Sequence, residues 1–210
     1  MTMRDRGCLI VLSGPSGSGK DTILHKYLAR HPQVKFSISS ITRPMRPGEV
    51  EGEKYHFIPR EDFEELVRQG QMLEYAEYCG NYYGTPRRPI EEWLEQGFTV
   101  LVEVDVQGAN QIHALMPEAV RLFVMPPSME VLRRRLIGRK TESEEVAAAR
   151  LREAVREIEN AKEYDYIVIN DVLEDAVASM AGIIESEKVR VKRMIPWINE
   201  VLNDAESFDW

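Results

Sequence analysis

"GCLIVLSGPSGSGKDTILHKYL", residues 7–28, decides the fold. Its opening, Cys8 to Ser13, is a short apolar run rich in β-formers and reads as a strand buried in a parallel sheet. Its end places Ile23, Leu24, Tyr27 and Leu28 at helical spacing. Between them, Gly14, Pro15, Ser16, Gly17, Ser18, Gly19 and Lys20 have the G-x-x-x-x-G-K spacing. Glycines let consecutive backbone N–H groups curl around phosphate oxygens, and the helix N-terminus adds its positive dipole end. Lys20 then reaches the β- and γ-phosphates of a bound nucleotide. A glycine-rich turn with a purely structural role is the competing reading, and strand, lysine and helix in register argue against it. One departure stands out: Asp21 follows the lysine where the strict motif has Ser or Thr. Asp is a candidate helix cap but a poor neighbour for a triphosphate, and the nearest hydroxyl is on Thr22. Mg²⁺ is therefore expected to be held mostly through waters and substrate oxygens.

The chain has 210 residues, 30% charged and 43% hydrophobic, as expected for one soluble globular domain with a proper core. No run approaches the roughly 18 apolar residues that span a bilayer. The opening "MTMRDRG" lacks the apolar segment of a secretory signal, so a cytoplasmic location is expected. Cys8 and Cys79 are far apart, with no Cys/His cluster for a metal, and read as buried or incidental thiols. A net charge of −8 disfavours a nucleic-acid polymer as partner. Any anionic ligand must meet local clusters of Arg and Lys.

Further buried-type strands are expected at Phe98 to Asp105, Val120 to Met125 and Tyr166 to Asn170. Helical patterns lie at Pro89 to Gln96, Gln107 to Met116, Met129 to Leu136, Glu142 to about Glu163, and Leu173 to about Val189. Thr141 with Glu144, and Asp171 with Glu174, have capping-box spacing at the starts of the last two. Strands alternating with helices imply a three-layer α/β fold around a central parallel sheet. The rhythm breaks between about Phe36 and Thr85, which reads as an inserted sub-domain, and a basic stretch from Ser128 to Glu145 reads as a smaller insertion. The C-terminal segment contains Pro196. Its Ile195, Trp197, Ile198 and Leu202 suit a short amphipathic helix packed on the body, with an oligomer contact or a disordered end as alternatives.

Within the larger insertion, Arg43 and Arg46 flank Pro44 and precede Pro47. Prolines stiffen such a loop, so two guanidinium forks can be aimed at a phosphate monoester. Tyr55 and Tyr83 are candidate hydroxyl donors; a solvated basic loop is the bland alternative. In "MLEYAEY", alternation puts Met72, Glu74 and Ala76 on one face, and Thr85 follows the "NYYG" turn. A carboxylate accepts from guanine N1–H and N2–H, and a hydroxyl can donate to O6. Adenine presents the opposite pattern, and buried polar sites reject unmatched bases strongly.

The pieces "GPSGSGK", "SSITRPMRPGEVEGEKYHF", "EYAEYCGNYYGTP", "EVDVQG", "MPPSMEVLRRRLIGRKTESEE" and "VIND" run in one order from about residue 8 to 190. Together they resemble the guanylate kinases, which transfer the γ-phosphoryl group of ATP to GMP. The resemblance implies a phosphate-loop kinase fold with a core of residues 1–36, 86–127 and 146–190. It also implies a GMP-binding insertion at 37–85 and a lid at 128–145; residues 191–210 are an extension of unassigned role. It implies ATP and Mg²⁺ on the loop, GMP and dGMP as acceptors, and a role in purine nucleotide recycling. Ser39, Arg43, Arg46, Tyr55 and Tyr83 fall where the family binds the GMP phosphate and its surroundings, and Glu74 and Thr85 where it reads guanine. Asp105 matches an aspartate near the guanine. Glu103 stands where many relatives have aspartate, with an expected link to magnesium hydration. Arg135, Arg139 and Arg150 match lid arginines over ATP and the transferring phosphoryl, and Asn170 a position near adenine. Lys20, Arg43, Arg139 and Arg150 are the expected catalytic cations.

Three rivals remain at this level. A scaffold that keeps the fold but binds a partner protein is disfavoured by Lys20, Arg139 and Arg150. A kinase for a sugar phosphate, or for AMP, gives Glu74 and Thr85 nothing suitable to read. Sequence leaves the oligomeric state open.

Overall fold

The computed structural model describes residues 7–137 and 144–205. β1 (Leu9–Ser13) leads through the glycine loop into α1 (Lys20–Arg30), and β2 (Lys35–Phe36) follows. Next come β3 (Ser39–Ile41), β4 (Tyr55–Phe57), α2 (Arg60–Arg68), β5 (Met72–Tyr78) and β6 (Asn81–Pro86). The chain continues with α3 (Arg87–Glu95), β7 (Val100–Glu103), α4 (Val106–Leu115) and β8 (Val120–Met125). It ends with α5 (Met129–Ile137), α6 (Glu144–Glu159), a 3-10 turn (Asn160–Glu163), β9 (Tyr166–Ile169), α7 (Leu173–Lys188) and α8 (Val191–Ala205).

β1 lies at the centre of a five-stranded parallel sheet of order β2-β7-β1-β8-β9. Strand alternation then sorts its side chains. Cys8, Ile10 and Leu12 pack with Ile23 and Tyr27 of α1 and Met180 and Ile184 of α7. Leu9 and Val11 pack on the opposite face with Ile90 and Leu94 of α3 and Ile112 of α4. Both faces of the sheet are covered, which is the three-layer α/β arrangement expected. The phosphate loop leaves the carboxyl end of the central strand, where open α/β sheets hold their ligands.

Residues 39–86 build a second sheet of order β4-β3-β6-β5. The β5–β6 hairpin turns through Cys79 and Gly80, both at positive φ (50° and 74°). That is the two-residue turn whose twist matches paired strands. The expected alternation along β5 is interrupted. Met72 faces Pro86 and Glu74 faces Thr85, so Leu73 is an extra residue in a β-bulge. Met72, Leu73 and Glu74 are all buried in consequence, with Leu73 joining the α3–α4 core.

Two expectations are corrected. Asp171 does not cap α7: Asn170 N still bonds to Met125 O, and the helix starts only at Leu173, after Val172, without a side-chain cap. Glu174 instead pairs with Lys26 and Arg30 of α1. The C-terminal helix forms, with Pro196 inside it, but it does not pack as expected: none of its residues is buried, and Trp197 is 55% exposed. Thr141 lies outside the described residues. Among the described residues no helix is long and apolar enough to cross a membrane.

Candidate active site

The phosphate loop is braced from behind. Gly19 has φ 88°, and a Cβ there would lie 2.3 Å from Asn170 Nδ2, so this position requires glycine twice over. Asn170 Nδ2 donates to Ser18 O (2.7 Å). Arg135 donates to the same oxygen from Nη1 (3.2 Å) and to Asn170 O from Nη2 (3.0 Å). Both side chains line a cavity of about 350 Å³ with Gly17 to Thr22 and Asp171.

Lys20 Nζ lies 2.9 Å from the Glu103 carboxylate and 3.3 Å from Asp21 Oδ1. Burial works to lower the lysine's pKa, but Glu103 and then Asp21 outweigh it and hold it above the ordinary value. Burial likewise resists ionisation of Asp21, and Lys20 overcomes that to hold its carboxyl low. Asp21 is not the helix cap, as Gly19 occupies that position without a side-chain bond. It is an exposed first-turn residue that also lies 3.9 Å from Lys54 Nζ. Thr22 is exposed beside it.

Between β3 and β4, Arg43 is only 9% exposed. Its guanidinium donates to both oxygens of Glu49, at 2.6 and 2.5 Å, and to Pro44 O at 3.0 Å. The Glu49 hydrogen bond raises the Arg43 pKa further, against desolvation, and the Arg43 bond holds the Glu49 carboxyl down at about 2. The rings of Tyr55 and Phe57 lie 5.6 and 5.5 Å from the guanidinium carbon, and Tyr83 packs edge-on against Tyr55. Ser39 pairs with Tyr55 across β3 and β4. The Arg46 side chain is exposed, while its backbone N–H donates to Glu49 at 2.7 Å. Sequence reasoning missed Glu49. The available signal was "RPGE", a Pro-Gly turn that closes from Glu49 N to Arg46 O and returns the carboxylate to the arginines.

Glu74 and Thr85 lie opposite each other on β5 and β6. Thr85 Oγ1 donates to Glu74 Oε1 at 2.5 Å, and both residues are buried. Desolvation raises the Glu74 pKa to about 7, with the Thr85 bond opposing and the Asp105 charge adding to it. Asp105 caps α4 by accepting from Gly108 N at 2.7 Å. A Cβ on Gly108 would stand 3.0 Å from Glu74 Oε2, so glycine admits the carboxylate against the helix. A second missed residue is Glu157 on α6. It lines a cavity of about 610 Å³ with Asp105. Burial lifts its carboxyl to about 7, helped by Glu153 and Asp105 and opposed by Lys20.

Arg150 is half-buried on α6, and Arg139 lies outside the described residues. Among the described residues no group of three or more His, Cys, Asp or Glu is placed to hold a metal ion. The carboxylates beside Lys20 are Glu103, the last residue of β7, and Asp21; Asp105 lies two residues beyond Glu103 as the cap of α4.

The glycine loop, with its lysine, and the segment that carries Arg43 and Arg46 approach each other where Lys54 Nζ lies 3.9 Å from Asp21. That is the architecture of a phosphate-loop kinase acting on a second phosphorylated molecule. The sequence pattern of guanylate kinase matches residues 6–187. The guanylate kinase of Lactococcus lactis subsp. lactis (strain IL1403) is 48% identical over 204 residues, covering 97% of this chain and 100% of that one. That of Desulfitobacterium hafniense (strain Y51) is 49% identical over 190 residues, covering 90% and 95%. The crystal structure of guanylate kinase from Anaplasma phagocytophilum superimposes with a TM-score of 0.73 at 34% identity, over 92% of each chain. The chain belongs to the guanylate kinase family.

Proposed function

We propose that ATP lies on the phosphate loop and GMP in the 37–85 insertion, with the γ-phosphoryl group passing between them. The overall activity is that of the family, ATP-dependent phosphorylation of GMP. Gly14 to Thr22 wrap the ATP phosphates, and Lys20 moves from Glu103 to the β- and γ-oxygens. Arg135 and Asn170 hold the loop's shape at the nucleotide's edge. Arg43, Arg46, Tyr55, Tyr83 and Ser39 take the GMP phosphate; Glu74, Thr85 and Asp105 take guanine. Arg139 and Arg150 close from the 128–145 lid side.

Phosphoryl transfer demands alignment and charge neutralisation more than covalent chemistry. The GMP phosphate has a second pKa of about 6 and is ionised at neutral pH, so no general base is required. Glu103 and Asp105 are the carboxylates that would hold an ATP-bound Mg²⁺ through water, and the ion would supply further charge neutralisation. Closure of the insertion and lid excludes water that would otherwise accept the phosphoryl group.

The observation that carries the acceptor's identity is the buried Glu74–Thr85 pair, 2.5 Å apart. In that pocket a donor-rich base edge satisfies the carboxylate, and adenine leaves it unpaired. ADP release from ATP, coupled to a reporter enzyme, is measured with GMP, AMP, CMP, UMP and ribose 5-phosphate as acceptors. GMP is expected to exceed each of the others by orders of magnitude in kcat/KM. A preference for any of the others overturns the assignment.

A further inference from the structure

We propose that Gln111 is a positioning residue for the guanine-reading carboxylate. The proposal rests on the assignment of Glu74 to guanine and adds a residue to that site. β5 is the edge strand of the second sheet, so the outward N–H and C=O of Tyr75 have no neighbouring strand to bond. Gln111, on α4, fills that gap. Its Oε1 accepts from Tyr75 N at 3.1 Å and its Nε2 donates to Tyr75 O at 3.1 Å. A primary amide is the one side-chain group that offers both halves of a peptide's pairing, so Gln111 acts as a single rung of an added strand.

The bond to Tyr75 N matters most. That N–H belongs to the peptide plane joining Glu74 to Tyr75, so holding it fixes the backbone on which the Glu74 side chain is mounted. Beyond the bulge at Leu73, β5 brings the Glu74 carboxylate against Gly108 of the same helix. Asp105, Gly108 and Gln111 follow one another at three-residue spacing along α4 and its cap, which puts neighbours on one face. Asp105 contributes charge at Glu74, Gly108 gives its Oε2 room, and Gln111 ties the strand. The guanine pocket is therefore pinned to the core through α4, although Glu74 itself belongs to the inserted sheet. When the Arg43 loop moves toward ATP, this seam keeps the base-reading end in register.

The test uses the full-length protein, with Gln111→Leu removing both bonds and Gln111→Glu keeping the acceptor but removing the donor. Steady-state KM and kcat are measured for GMP, for IMP (which lacks the 2-amino group) and for ATP, with thermal midpoints alongside. Gln111→Leu is expected to raise KM for GMP about tenfold, leave KM for ATP unchanged, and shrink the GMP-over-IMP preference. Gln111→Glu is expected to move the same way by a smaller factor. If Gln111→Leu does not fold, the Gln111→Glu protein decides the matter. Wild-type GMP parameters in the variant that folds overturn the proposal. So does an equal loss for GMP, IMP and ATP together with a lowered midpoint. A wild-type enzyme that does not prefer GMP over AMP instead overturns the guanine assignment underneath.

Discussion

The Glu49 carboxylate grips the Arg43 guanidinium through two parallel hydrogen bonds, 2.6 Å to Nη1 and 2.5 Å to Nη2, and takes the Arg46 backbone N–H as well. One side chain thus sets the direction of the Arg43 fork and the path of the loop that carries Arg46. A fork held in place loses less entropy when phosphate binds. Glu49→Ala is expected to raise KM for GMP severalfold or more while leaving KM for ATP near the wild-type value. A fall in KM for GMP would mean that Glu49 merely competes with the phosphate. Steady-state kinetics with each substrate varied in turn separate the two outcomes.

The Glu74 carboxyl, near 7 in the fold against its ordinary 4.5, makes a prediction with two opposite signs. In the empty protein the folded state binds more protons between pH 4.5 and 7, so this group's contribution to stability falls as pH rises through that window. Guanine donates to the ionised carboxylate, so GMP affinity moves the other way and weakens as pH drops below about 7. Glu74→Gln should abolish that part of the pH dependence of kcat/KM for GMP and erode selectivity against AMP. The inflections of Glu157 and of the GMP phosphate remain in the variant and act as internal controls. An unchanged profile in Glu74→Gln removes the carboxylate from base recognition.

The fold was legible because its decisive signals are local. The apolar run at Leu9–Ser13, the glycine spacing and the helical period after Lys20 each follow from nearest neighbours in sequence. Strand β2, two residues long, has no period to detect and exists only by pairing with β7. Glu74 and Thr85 were singled out through hydrogen-bond chemistry, but their contact and the Leu73 bulge that buries Glu74 depend on register across β6. Glu49 and Gln111 escaped because their roles lie in what they hold, and neither touches a phosphate or a base. The exposure of α8 was misjudged because amphipathic spacing says which face is apolar and nothing about what covers it.

The proposed role of Lys20 is to leave a carboxylate for the phosphates of ATP. Its bond to Glu103 stores it at the site in the empty protein. Lys20→Ala should lower kcat by several orders of magnitude, because the charge it supplies grows in value as negative charge accumulates at the transferring group. Single-turnover measurements with saturating ATP test this directly, and a loss below about tenfold would contradict the role.

Asn170 makes a prediction about the loop's shape and not its charge. Its side-chain N–H donor to Ser18 O occupies the space a Gly19 Cβ would need. Gly19→Ala must displace Asn170 and strain φ 88°, whereas Asn170→Ala only removes the brace. Gly19→Ala should therefore cost far more in KM for ATP than Asn170→Ala does, and both should spare KM for GMP. Equal effects, or a loss confined to GMP, would show that the brace does not act through the loop.

Cys79 is the one described non-glycine residue at positive φ, at the first position of the β5–β6 turn. Cysteine gains nothing from that conformation, while asparagine adopts it readily and is favoured before glycine in this turn. The residue is exposed and its thiol is free, so replacement disturbs no packing. Cys79→Asn is expected to stabilise the protein by about 0.5–1 kcal/mol, by relieving backbone strain. The same change should leave kcat and both KM values unaltered, because the turn lies at the tip of the hairpin beyond Tyr78 and Asn81. Urea unfolding followed by circular dichroism measures the shift, and a lower midpoint in the variant would show that the turn's geometry is not limited by residue 79.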